Sequence, residues 1–343
     1  MSITYTELKS QYTTLKQTAN YLDENIAGLS AWIRESSPMK LIFVGCGTSY
    51  LVSVSLSDAA NMYLPYPAFA MAGGDLLLHA DKYAGMLNGS VIVTVSRSGT
   101  TTEVVEALKK LRSLGCGFKH LSVSCKTDSP LDFMSDKSVQ MTWAYDHSVY
   151  QTRNVSNLYF FGMYLIALLA GKDDMKEAFE DVISNGDEFF KKAESVCLDV
   201  LKNDFDSVMV LGDGEIFGLC DAGAMAVKEI CRIRANCYHV LDTRHGPIVL
   251  ADDKTLVIAG LLGKKLEVDF VEDLTSRGAK VLTVTAEPFD AAGSVNLNYG
   301  KKLHHAALGL LCILACQLIS YHKSALLGLN VDKPDDLESC IIL

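Results

Sequence analysis

Apolar residues recur along the first 35 positions at alternating steps of four and three. Leu8, Tyr12, Leu15, Ala19, Leu22, Ile26, Leu29 and Ile33 fall on one helical stripe. The spacing predicts a single helix over residues 1–34, stopped by Pro38. Such a stripe forms a short coiled coil or packs along its own domain or a partner subunit. Beyond it come short continuous runs of apolar and β-branched residues: Leu41–Val44, Ala68–Ala72, Val91–Val95 and Leu121–Ser124. Helical periodicity separates them. Runs without alternation belong to strands buried on both faces, so an α/β fold with a parallel sheet covered by helices is expected. The stretch Asp146–Arg153 leads into an apolar helix, Leu158–Ala170.

The pattern then starts again. A strand at Val208–Leu211 is followed by a helix over Phe217–Arg232, a strand at Leu256–Ala259, a helix over Leu266–Arg277 and a strand at Lys280–Thr285. Gly45-x-Gly47 and Gly212-x-Gly214 are matching landmarks, roughly 160–170 residues apart. Two tandem α/β domains of one topology are expected, over residues 35–171 and 204–330. The charged stretch 172–203 is read as connecting helices, and residues 331–343 as a C-terminal segment.

A length of 343 residues suits two domains, and 49% hydrophobic with 21% charged residues excludes a disordered chain. Lys and Arg number 31 against 41 Asp and Glu, a net charge of −10, so no nucleic-acid partner is expected. Ten cysteines include no C-x-x-C pair; Cys46, Cys125, Cys220, Cys231, Cys312 and Cys316 sit in apolar or glycine-rich runs. They read as buried thiols of a reducing compartment. The N-terminus has no secretory pattern. The apolar runs Leu158–Ala170 and Ala306–Ile319 fall short of the roughly 20 residues of a membrane helix. A cytoplasmic protein with no membrane contact is expected.

Gly45-x-Gly47 lacks the third small residue of a dinucleotide fingerprint, since Tyr50 stands there, and no acidic residue ends the next strand. No Gly-Lys-Ser/Thr phosphate loop occurs. Ser96-Arg-Ser-Gly-Thr-Thr-Thr102 says more. It follows a buried strand and opens a helix, where free backbone N–H groups and the helix dipole favour an anion. Helix capping by Ser98 or Thr100 needs one hydroxyl, and five are present. A phosphate site is expected here. Its counterpart, Ala259-Gly-Leu-Leu-Gly-Lys-Lys265, has no hydroxyls, so one site per chain follows.

Glu229 lies on a helix whose other residues are mainly Ala, Met, Val, Ile and Cys, where a carboxylate either points to water or is held in an apolar wall with its pKa raised. An isolated histidine is usually structural, but in Arg244-His-Gly-Pro247 the turn aims the ring of His245. His304-His305 has no acidic or cysteine companion at ligand spacing, so no metal is expected.

Five segments together resemble the sugar isomerase (SIS) domain family, in particular the duplicated isomerase half of glucosamine-6-phosphate synthase and its stand-alone relatives. They are Gly45-Cys-Gly-Thr-Ser-Tyr50, Ser96-Arg-Ser-Gly-Thr-Thr101, Val149-Tyr-Gln-Thr-Arg153, Lys228-Glu-Ile230 and Arg244-His-Gly-Pro247. The resemblance implies two flavodoxin-like five-stranded parallel sheets, a homodimer and no cofactor. It places Ser96, Ser98 and Thr101 on a phosphate, with Cys46, Gly47, Thr48, Ser49 and Val149 around the sugar. Arg97, where the family usually has glutamine, is expected to add a charge-assisted phosphate contact. Glu229 corresponds to the family's proton-shuttling glutamate, and His245 to its ring-opening histidine, donated by the neighbouring subunit.

Departures narrow the activity. Ala222 and Ala226 replace a glutamate and a lysine of the synthase, and Ser339 stands where its Schiff-base lysine belongs. Lys333, six residues away, does not substitute by alignment. No glutaminase domain is expected ahead of residue 1. Glucosamine-6-phosphate synthesis is therefore not expected. An aldose–ketose isomerase or an amino-sugar phosphate deaminase acting by 1,2-proton transfer is; a fructosamine-type deglycase and a non-catalytic sugar-phosphate sensor stay open.

Overall fold

A computed structural model describes residues 2–334 with Leu337 and Glu338. The chain divides into two compact units, with the division inside one helix, at Lys176. The stripe of the first 35 residues is two helices, α1 (Ile3–Lys9) and α2 (Gln11–Glu35), where one was expected. α1 groups with the second unit and α2 with the first.

In the first unit, α2 is followed by β1 (Lys40–Gly45), α3 (Thr48–Tyr63), β2 (Ala68–Ala72), α4 (Gly73–Leu78) and α5 (Ala80–Leu87). Next come β3 (Ser90–Ser96), α6 (Thr102–Ser113), β4 (Phe118–Ser124), α7 (Pro130–Phe133), β5 (Lys137–Gln140) and α8 (Arg153–Ala170). The five strands are parallel in the order β2-β1-β3-β4-β5, which is the 2-1-3-4-5 order of a doubly wound sheet. Every β3 residue is buried, as its continuous apolar run requires.

Two helices, α9 (Asp173–Ser184) and α10 (Gly186–Val200), form from the charged stretch. The second sheet is built from β6 (Ser207–Leu211), then α11 (Phe217–Cys231), β7 (Arg234–Tyr238), β8 (Thr255–Gly260), α12 (Lys265–Ser276), β9 (Lys280–Thr285), β10 (Ser294–Asn298) and α13 (His305–Leu326). Its order, β7-β6-β8-β9-β10, is again 2-1-3-4-5 and parallel throughout.

Side-chain alternation assigns the layers of this second sheet. Met209 and Leu211 of β6 and Val257 and Ala259 of β8 share a core with Phe270 and Val271 of α12 and with Val240 and Ile248 of the β7–β8 connection. Gly212 and Gly260 face the other way: a Cβ on either would touch Cys220 of α11 or Cys312 of α13. So α11 and α13 cover one face, and α12 with the β7–β8 connection covers the other. The apolar run read as 14 residues extends to a helix of 22, long and apolar enough by composition to cross a membrane. It is instead a core helix, with 83% of its most apolar window buried inside the protein.

Candidate functional site

Strands β1 and β3 are neighbours at the point where the strand order of the first sheet reverses. The crevice outside their carboxyl ends is where doubly wound sheets bind ligands. Both strands run there into helices, β1 through Cys46-Gly47 into α3 and β3 through Arg97–Thr101 into α6. Their N-termini present the positive ends of two dipoles. Gly45 is required by close approach, since a Cβ would lie 2.5 Å from the Ser49 carbonyl carbon. Gly99 has φ +65°, and a Cβ would fall 2.2 Å from Ser129 Oγ.

The hydroxyls of the β3–α6 turn are not spent on capping. Thr101 is the N-cap of α6 and makes no side-chain capping bond. Ser96 Oγ accepts from Gly99 N–H at 2.9 Å, and Ser98 Oγ accepts from Thr100 N–H at 3.2 Å, bonds that shape the turn. The hydroxyls of Thr48, Ser49 and Thr101 have no partner among the described residues. At this edge the structure brings together Cys46–Ser49, Ser96–Thr101 and the loop holding Val149.

That loop joins through Arg97. Its Nη1 donates to the Ser148 carbonyl at 3.1 Å and to the Val149 carbonyl at 3.1 Å. Below it, the buried Asp146 accepts from Thr152 N–H at 2.7 Å and Asn154 N–H at 3.2 Å, holding the start of α8.

Sequence reasoning missed the surroundings of Cys46. A Cβ on Gly73 would stand 2.7 Å from Cys46 Sγ and 2.7 Å from Val104 Cγ2, so the β1 turn, the β2–α4 turn and α6 close on one another. Burial, and then the Glu103 carboxylate, push the Cys46 thiol pKa up, partly offset by the Gly73 and Gly74 N–H groups. A raised pKa favours the neutral thiol over the thiolate. Glu103 Oε2 is buried without a hydrogen-bond partner.

The two remaining predicted residues lie in the second unit, and there the structure keeps them apart. Glu229 is half-buried near the C-terminus of α11. His245 is exposed in the β7–β8 connection, whose Arg244 lies 5.2 Å over the Phe270 ring of α12. Glu229 and His245 of one chain therefore stand on opposite faces of the second sheet. Asp221, two turns before Glu229 on the same face of α11, is a further carboxylate with its pKa raised by burial.

His304 and His305, expected to lack an acidic companion, have one. The buried Glu215 places its oxygens 3.3 Å from His305 Nδ1 and 3.9 Å from His304 Nδ1. Some 90 residues of sequence separate them, which spacing rules do not see. Asp332 of the C-terminal segment accepts from Ile3 and Thr4 N–H at 2.8 and 3.0 Å. Ser339, expected at the position of the family's lysine, lies outside the described residues.

Residues 35–168 match the model of the SIS domain. The chain is 26% identical, over 93% of its length and 46% of the relative's, to glutamine–fructose-6-phosphate aminotransferase [isomerizing] of Encephalitozoon cuniculi. It spans about half the length of such relatives. Among solved structures, glucosamine-6-phosphate deaminase of Thermotoga maritima aligns over 100% of both chains with a TM-score of 0.82 at 23% identity. Tagatose-6-phosphate ketose/aldose isomerase of Escherichia coli aligns over 98% of this chain and 97% of its own, with a TM-score of 0.78 at 19% identity. At these identities the structural likeness shows a shared fold.

Proposed function

Because residues 35–168 match the SIS domain, we propose that this chain belongs to that family and moves a proton between carbons 1 and 2 of an open-chain hexose or amino-hexose 6-phosphate. The observation that carries this reading is the carboxyl edge of the first sheet. Two helix N-termini meet at its switch point, with three hydroxyls that have no partner among the described residues. This arrangement suits a phosphate ester, which supplies several strong acceptors and two charges.

In this reading Ser96, Ser98 and Thr101 hold the phosphate, and Cys46–Ser49 with Val149 line the sugar. Glu229 takes the proton from one carbon and returns it to the other through an enediol. His245 opens the ring, because imidazole both accepts and donates near neutral pH. With a 2-amino sugar the same transfer leaves an imine at carbon 2, and water releases ammonia from it. The opposite-face placement of Glu229 and His245 supports a homodimer in which each site draws its histidine from the partner. Nine free cysteines among the described residues fit a reducing, cytoplasmic setting.

The test is a panel of hexose, hexosamine and fructosamine 6-phosphates, following isomer ratio, ammonia and free amine. One or more of the first two classes should turn over, with solvent deuterium entering carbon 1 or 2. Glu229→Gln should abolish turnover while phosphosugar binding survives. Normal turnover by Glu229→Gln refutes the assignment of the base, and release of amine from fructosamine phosphates alone points to a deglycase.

A further inference from the structure

We infer that Arg97 is a positioning residue, which fixes the Val149 backbone against the phosphate-binding turn, and is not itself a ligand of the phosphate. The inference rests on the phosphosugar reading above. Arg97 is only 5% exposed, although it sits between two serines assigned to the phosphate. Its Nη1 is committed to two consecutive carbonyls, Ser148 and Val149. Its own carbonyl accepts from Cys125 N–H at 3.2 Å, which anchors the residue to the end of β4.

The loop it holds has further ties of its own, among them Asn154 Nδ2 donating to Gln151 Oε1 at 2.7 Å. Asp146 secures its far end through Thr152 and Asn154, and Ser148 Oγ donates to the Tyr150 carbonyl at 2.9 Å within the loop. Between these points residues 147–151 belong to no helix or strand. Arginine suits this task because its guanidinium is a donor-only fork with a permanent charge, which strengthens bonds to neutral carbonyls. A glutamine at this position offers one amide donor group and an acceptor, and lacks that charge.

Arg97→Gln and Arg97→Lys in the full chain test this. In the unliganded protein, amide exchange across residues 148–152 should quicken about tenfold or more in Arg97→Gln, with partial recovery in Arg97→Lys. Calorimetry with inorganic phosphate and with fructose 6-phosphate separates positioning from ligation. Phosphate affinity should stay within about threefold of wild type, while fructose 6-phosphate weakens about tenfold or more, as expected for a lost charged hydrogen bond. Unchanged exchange overturns the inference. Equal weakening of both ligands also overturns it, and makes Arg97 a phosphate ligand. If the wild-type protein binds neither, the phosphosugar reading fails, whereas the exchange result still decides whether Arg97 holds the loop.

Discussion

Glu229→Gln and His245→Ala, each made in a separate chain, should both be inactive alone and recover activity on mixing. The expectation comes from the layers of the second sheet. Glu229 rides on α11, and His245 sits in the connection packed with α12 on the other face. Layers about 10 Å from a sheet on either side put the two groups roughly 20 Å apart within one chain. Proton transfer needs a group within roughly 3 Å of the reacting atom, or one water away. One chain's pair therefore cannot act together on adjacent atoms. A symmetric dimer offers the alternative, with one residue from each copy. After complete exchange of equal amounts, half the dimers are hybrids with one intact site each, so roughly a quarter of wild-type activity should return. The assay is turnover of the substrate found in the panel, before and after exchange followed by mass spectrometry of isotopically labelled chains. No recovery despite proven exchange would refute the reasoning, leaving one residue dispensable or both serving the same copy through a rearranged connection.

Three further outcomes follow from the geometry. Ser98→Ala should weaken a phosphosugar by about 1–3 kcal/mol and leave weak binding of the unphosphorylated sugar unchanged; equal loss by calorimetry counts against the phosphate assignment. Gly99→Ala combines a left-handed backbone with a contact on Ser129, and should cost about 2–5 kcal/mol in denaturant unfolding; a loss below 1 kcal/mol would mean the turn can rearrange. His120 is buried on β4, and burial pushes its pKa down from 6.5 to about 4. The unfolded chain takes up this proton first, so a contribution of about 3 kcal/mol is full above pH 6.5 and is lost as pH falls toward 4. His120→Gln should flatten the fall in stability across that window, and an unchanged slope would contradict the assignment.

The parts legible in the sequence share one property: their signal lies in neighbouring residues. β1, β3, β6 and β8 are buried on both faces, so their composition alone marks them as inner strands of a parallel sheet. The hydroxyl-rich turn after β3 could be picked out as a candidate anion site because a strand end, a glycine and a helix start are all local features. Of the edge strands only β2, the run Ala68–Ala72, was legible. β5, β7 and β10 are short and partly exposed, with mixed sequences such as Arg234-Ala-Asn-Cys-Tyr238, and only pairing with β4, β6 and β9 makes them strands.

Chemistry followed the same division. Residue type and order were enough to pick out Ser96, Ser98, Thr101, Glu229 and His245 as candidates. Where a side chain spends its hydrogen bonds was decided in three dimensions. The Arg97 guanidinium reaches carbonyls some 50 residues away, and Glu215 meets two histidines some 90 residues further along. The sheet that separates Glu229 from His245 is itself a product of strand order, which no local pattern encodes. Helix, strand and turn propensity act over a few residues and can be read along the chain, whereas partners, burial and the face of a sheet depend on which distant segments pack together.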